Sequence, residues 1–173
     1  DSYMKKPATL TFIYPETLPK NGGGTDFINC YKVYEDLPEN LQKKIFNLQA
    51  VHKHLSRRNV SEVAKLSKEQ QELTPDVRHP LVRTHPVSKG KSLYINPNRI
   101  DHIVGFNDKE SDEILDKLYE FSFQSKFQYS HSYKKGDLVI WDNRCTMHKA
   151  NSEYDVNQLR VMHRVMLEGE SVI

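Results

Sequence analysis

The last third of the chain keeps a period of two, and that period most restricts its fold. In "FQYSHSY", Phe127, Tyr129, His131 and Tyr133 are separated by polar residues. In "LRVMHRVML", Val161, His163, Val165 and Leu167 share one parity, and Arg160, Met162, Arg164 and Met166 share the other. Such alternation puts successive side chains on opposite faces of an extended strand, and a helix cannot accommodate it. Between these runs, "GDLVIWD" reads as a buried strand over Asp137 to Asp142, with Leu138 and Ile140 on one face, entered through the turn Lys134 to Gly136.

Upstream, Leu10 to Tyr14 is rich in β-formers, and Pro19 to Gly24 is a turn with unusual backbone freedom. Asp36-Leu37-Pro38 predicts a helix start, with Tyr34, Leu37, Leu41, Ile45 and Leu48 on one face. Val51 to Val77 is polar and predicts a surface excursion or lid. His79 to Pro86 predicts an edge or short strand, Ser92 to Asn96 another strand, and Lys109 to Phe123 a helix marked by Ile114, Leu115, Leu118 and Phe121. Many short strands with two helical segments predict an α+β protein with a mainly β core, an antiparallel sandwich or barrel.

The 173 residues suit a single domain. The 25 Lys and Arg are interspersed among 23 acids for a net charge of +2, which argues against a nucleic-acid partner. No apolar run approaches the ~18 residues of a membrane span, and no signal peptide is visible. Two cysteines, Cys30 and Cys145, are too few for a disulfide framework and read as reduced thiols of a cytoplasmic protein.

Chemistry is suggested where "GDLVI" runs into "WDNRCTMH". A core strand has no use for Asp142, Asn143, Arg144 and His148, whereas a metal or substrate site has. His148 is expected in a loop leaving the strand, where sites tend to sit. Alone it holds no metal, and His/carboxylate sets suit Fe(II) or Zn. Arg160 and Arg164 are four apart on one strand face. They are either paired surface charges or two guanidiniums facing into a barrel mouth, each able to fork a carboxylate or sulfonate. Gly22-Gly23-Gly24 precedes Thr25, whose hydroxyl could reach an anion. The turn lacks the Lys-Ser/Thr of a phosphate loop, and a plain loop is the default reading. His163 faces opposite the arginines and is expected in the core. His79 and His85 read as structural, and His52 and His54 belong to the polar excursion.

Together these residues match one pattern. The stretches "GGGTDFINCYKVYEDLP", "HPLVRTHPVSKGKSLYINPNRIDHIVGFNDKESDEILDKLYEF", "FQYSHSYKKGDLVIWDNRCTMHKA" and "RVMHRVML" resemble the taurine/2,4-dichlorophenoxyacetate dioxygenase family of Fe(II)- and 2-oxoglutarate-dependent oxygenases. The resemblance covers most of the chain. It implies a double-stranded β-helix, or jelly roll, flanked by helices. It implies Fe(II) as metal, 2-oxoglutarate as co-substrate, and succinate and CO2 as products. His148 matches the distal metal-binding His. Thr25 and Arg160 match the residues that hold the distal carboxylate of 2-oxoglutarate, and Arg164 matches the substrate-facing Arg. The partners implied are O2 and a small anionic substrate such as a sulfonate, sulfate or carboxylate, with homo-oligomerisation left open.

The family's His-x-Asp pair has no full counterpart. In one alignment Asp1 follows the metal-binding Asp directly; in another, with a one-residue deletion, Asp1 is itself the ligand. Either way at least one iron ligand is missing from residues 1–173. The expectation is one catalytic domain, incomplete at its N-terminus and lacking its first strands. The rival reading is an inactive jelly-roll scaffold, should the upstream pair be absent.

Overall fold

The computed structural model describes residues 1–59, 67, 69–70 and 74–172. In chain order its elements are β1 (Leu10–Thr17), β2 (Thr25–Asn29), α1 (Cys30–Asp36), α2 (Glu39–Ile45), β3 (Gln49–His52), β4 (Val77–Pro80), β5 (Val82–Thr84) and β6 (Lys91–Leu93). There follow β7 (Ile100–Ile103), α3 (Asp108–Ser122), β8 (Gln128–His131), β9 (Val139–Asp142), β10 (Thr146–Ala150) and β11 (Val161–Met166). Mixed strands and helices with antiparallel pairing agree with the expected class.

Three sheets of three strands run β11-β1-β9, β10-β2-β8 and β4-β3-β7, and β5 and β6 form a hairpin. The hydrophobic core lies on the helical side. Val33 of α1 and Ile114, Leu115 and Leu118 of α3 pack with Ala50, Ile100 and Ile103 of the third sheet and with Leu81, Val82 and Leu93 around the hairpin. Helix α3 starts cleanly because Asn107 and Glu110 form a capping box. The Asn107 Oδ1 accepts from the Glu110 N–H at 2.9 Å, and the Glu110 Oε2 accepts from the Asn107 N–H at 3.3 Å.

The first two sheets face one another across the indole of Trp141, which belongs to β9 and reaches Phe27 of β2 and His148 of β10. Residues paired across a ladder share a face. In the first sheet Thr11 pairs with Trp141, and Ile13 pairs with both Val139 and Arg164. In the second, Phe27 pairs with His148 and Tyr129, and Thr25 with Ala150 and His131. The inner space is therefore bordered by Trp141 and Arg164 on one side and by Thr25, Phe27, His131 and His148 on the other.

Several expectations change. Strand β9 is not buried on both faces: Trp141 is inside, but Ile140 is 49% exposed and sits in an outer row with Phe12 and Val165. His163 is not in the core. It is exposed on the outer face, where it bonds the Glu16 carboxylate. Asp36 ends a helix rather than capping one, because Pro38 breaks α1 from α2. The excursion at 51–77 is bounded by buried strand rather than surface: β3 pairs with β4, and Val51, His52 and Val77 are buried. Residues 60–66, 68 and 71–73 of the supposed lid lie outside the described residues.

Candidate active site

A glycine turn leads into Thr25, the first residue of β2. Gly22 and Gly23 have φ of +74° and +69°, the left-handed region that glycine enters without a Cβ clash. The turn brings the Gly23 carbonyl to Arg160, whose Nε–H donates to it at 2.8 Å. A Cβ on Gly23 would meet the Arg160 Cδ and Nε at 3.1 Å. A Cβ on Gly24 would lie 2.4 Å from the His131 carbonyl oxygen, so the turn packs against β8 only because that position is glycine. Thr25 follows, buried, its Oγ1 3.0 Å from the Tyr133 hydroxyl. Arg160 lies just before β11 and is half-buried. Arg160 is thereby held at the turn that leads into Thr25, at one end of the second sheet.

His148 sits in strand β10, not in a loop as expected. The β9–β10 turn is tighter than its polar sequence implies, because the Asp142 carboxylate takes the Arg144 backbone N–H and its guanidinium. His148 pairs with Phe27 while Ala150 pairs with Thr25, so His148 lies one pleat repeat, about 7 Å, along the strand from the Thr25 row. Neither of its ring nitrogens takes a hydrogen bond among the described residues. Its pKa is pushed down, by desolvation first and also by Arg164. The ring keeps open surface, yet protein surrounds it at longer range. An unpartnered, neutral imidazole in such a place has the chemistry of a metal ligand.

Arg164 stands on β11 opposite Ile13. It is exposed, and no carboxylate among the described residues pairs with it. Asp1 is exposed. Arg164 bears electrostatically on both His148 and the Asp1 backbone nitrogen, which puts the three residues near one another.

Sequence reasoning overlooked what holds Asp1 there. The Ser2 hydroxyl lies 2.9 Å from the Nδ1 of buried His52, and the His79 Nε2 3.1 Å from the Met4 carbonyl oxygen. Arg99 covers the Tyr3 ring at 4.9 Å, and His54 meets it edge-on. His52 and His79 face each other at 5.1 Å, so two strands of the third sheet grip the N-terminal segment. In sequence they looked like polar residues of the excursion and its edge. Strand parity puts His52 and Ala50 on one face of β3, and Ala50 pairs with His79.

Among the described residues, His85, Asp142 and Cys145 are the only group of three potential metal-ligating side chains within reach of one ion. Their chemistry does not fit a cation. The His85 Nδ1 accepts the Val87 and Ser88 N–H groups, so its Nε2–H donates to Asp142. Arg144 already neutralises that carboxylate, which is held near 2 although burial opposes this. Burial also raises the Cys145 thiol, disfavouring the thiolate a metal needs. The trio is a brace at the β9–β10 turn.

Comparisons with known proteins identify the family. The family described as "Taurine catabolism dioxygenase TauD, TfdA family" matches residues 1–166. An alpha-ketoglutarate-dependent 2,4-dichlorophenoxyacetate dioxygenase of Burkholderia sp. (strain RASC) is 38% identical over 98% of this chain and 57% of its own length. A second of that name, from Cupriavidus pinatubonensis, is 33% identical over 100% of this chain and 60% of its own. The chain therefore spans less than two thirds of these relatives. The solved structure of AAD-2 in complex with Mn(II) and N-oxalylglycine superposes with a TM-score of 0.90 at 31% identity, covering 99% of this chain and 68% of that one. With its family pattern matched from Asp1 into β11, the chain belongs to the TauD/TfdA family of dioxygenases.

Proposed function

We propose that residues 1–173 form a catalytic domain of a 2-oxoglutarate-dependent dioxygenase that hydroxylates a small anionic substrate. The facing antiparallel sheets are read as part of a jelly roll. One observation carries the proposal: two arginines border the same space in different states. Arg160 is tied to Gly23, two residues before Thr25, and Arg164 pairs with no carboxylate among the described residues.

His148 fits a metal because no hydrogen bond among the described residues occupies its ring nitrogens, and Arg164 bears on both it and Asp1. His148 would hold the ion, with a carboxylate at or next to Asp1 as a further ligand. Bound Fe(II) would supply O2 activation coupled to decarboxylation of 2-oxoglutarate, releasing succinate and CO2. Thr25 and Arg160 would hold the distal carboxylate of 2-oxoglutarate, a hydroxyl and a fork fixed in place before binding. Arg164, fixed on β11 by the ladder to Ile13, would orient the substrate anion toward His148. The names of the 2,4-dichlorophenoxyacetate relatives support an anionic substrate, since aryloxyacetates carry a carboxylate.

The test is succinate release by the full-length protein with Fe(II), 2-oxoglutarate and a panel of aryloxyacetates, sulfonates, sulfates and betaines. Turnover of an anion is expected. A preference for a cationic betaine over every anion overturns the substrate class. Complete absence of succinate overturns the enzyme in favour of a scaffold.

A further inference from the structure

A metal-ligating histidine normally donates its second ring nitrogen to a carboxylate or carbonyl, which fixes the ring plane. His148 has no such bond among the described residues. Its ring instead meets Trp141, centroids 4.6 Å apart and planes inclined by 53°. Trp141 is the only tryptophan in the chain, it is buried, and Phe27 meets it edge-on at 5.2 Å. The indole comes from β9 in one sheet, and the imidazole from β10 in the other.

The indole is itself fixed. Its Nε1–H donates to the Asn143 Oδ1 at 2.9 Å, and the Asn143 Nδ2 donates to the Thr11 Oγ1 at 2.8 Å. The amide orientation is forced, since only its oxygen can accept the indole N–H. Thr11 is 2% exposed and stands on β1, the central strand of its sheet, directly opposite Trp141 in register. A hydrogen-bonded chain thus runs from the middle of one sheet to the aromatic contact on His148.

We propose that Thr11, Asn143 and Trp141 are positioning residues that set the plane of the His148 imidazole, replacing the hydrogen bond it lacks. This rests on the reading of His148 as a metal ligand. The chain would present one imidazole nitrogen to the ion without the ring having to search for its orientation on binding. None of the three needs to touch the substrate.

The test uses the full-length protein and two readouts. Without metal, NMR of the His148 ring protons reports the ring-current shift caused by the Trp141 indole. With metal, EPR titration of Mn(II) reports affinity. Asn143→Ala and the isosteric Thr11→Val are expected to move the His148 resonances toward free-imidazole values and to weaken Mn(II) binding, by about 10- to 100-fold for Asn143→Ala. Asn143→Asp should recover most of both, because a carboxylate accepts from the indole N–H and from the Thr11 hydroxyl alike. Thr11→Val carries the test if Asn143→Ala does not fold. Unchanged resonances and unchanged Mn(II) affinity in the variants overturn the relay, while loss of Mn(II) binding in His148→Ala would leave the ligand reading standing. If His148→Ala binds Mn(II) as the parent does, the ligand reading fails and the relay falls with it.

Discussion

The Arg160 side chain donates its Nε–H to the carbonyl oxygen of Gly23 at 2.8 Å, joining the start of β11 to a turn at the other end of the chain. That bond uses one of five guanidinium donors, and under the proposed function the terminal fork would take the anion. Arg160→Ala should raise the 2-oxoglutarate requirement far more than the substrate requirement. Loss of a charge-assisted, half-buried contact is worth about 2–3 kcal/mol, roughly 30- to 150-fold in affinity. Gly23→Ala should shift the same constant in the same direction, since its φ of +69° strains alanine and its methyl group would press on Arg160. Titration of 2-oxoglutarate against uncoupled decarboxylation measures both, and an unaltered curve removes Arg160 from the co-substrate site.

Arg164 is expected to act on the other reactant. A guanidinium that pairs with no carboxylate among the described residues, near His148, is a ready partner for an anion. Arg164→Leu should raise the *K*M for the primary substrate by at least tenfold and leave substrate-free decarboxylation of 2-oxoglutarate largely intact. Equal losses in both activities would show that Arg164 serves the fold or the co-substrate instead.

His148→Ala should abolish Fe(II)-dependent turnover while the protein stays folded. The ring lies away from the hydrophobic core and takes no hydrogen bond among the described residues, so its removal costs mainly the contact with Trp141. Circular dichroism and iron binding, measured together, separate the two effects. A variant with the parent's iron affinity and rate would remove His148 from the metal site.

The alternation of "FQYSHSY" and "LRVMHRVML" foretold strands β8 and β11, and the Ile114/Leu115/Leu118 spacing foretold α3 to within a residue at each end. Strand β3 was not legible, because "QAVH" is too short for its period to show against the polar residues that follow. Burial was misjudged in β9 for a related reason. Periodicity names two faces but not which one is covered, and Leu138 and Ile140 are on the open side. The site residues Thr25, His148, Arg160 and Arg164 were suggested by local chemistry and by family resemblance. The grip of His52 and His79 on Ser2 and Met4 was hidden, since it joins positions 50 and 75 residues apart through pairings that only the fold supplies.

That grip predicts acid lability. Burial lowers the p*K*a of His52 to about 3 and that of His79 in the same direction, from an ordinary value of 6.5. Both are therefore neutral in the folded state at pH values where an unfolded chain would protonate them. In that window the unfolded state binds more protons, so folding stability rises with pH. The contribution is fully present above about pH 6.5 and is lost as pH falls from there toward the folded values. Each histidine steepens the slope by up to about 1.4 kcal/mol per pH unit within its own window. Urea unfolding between pH 7 and pH 4 should show this decline, and His79→Gln, which removes one titrating ring but keeps a donor for the Met4 carbonyl, should flatten it while lowering stability at pH 7. A stability profile with the same slope in parent and variant would mean that His79 is as readily protonated in the fold as outside it, and the packed pair could not then be what holds the N-terminal segment against the third sheet.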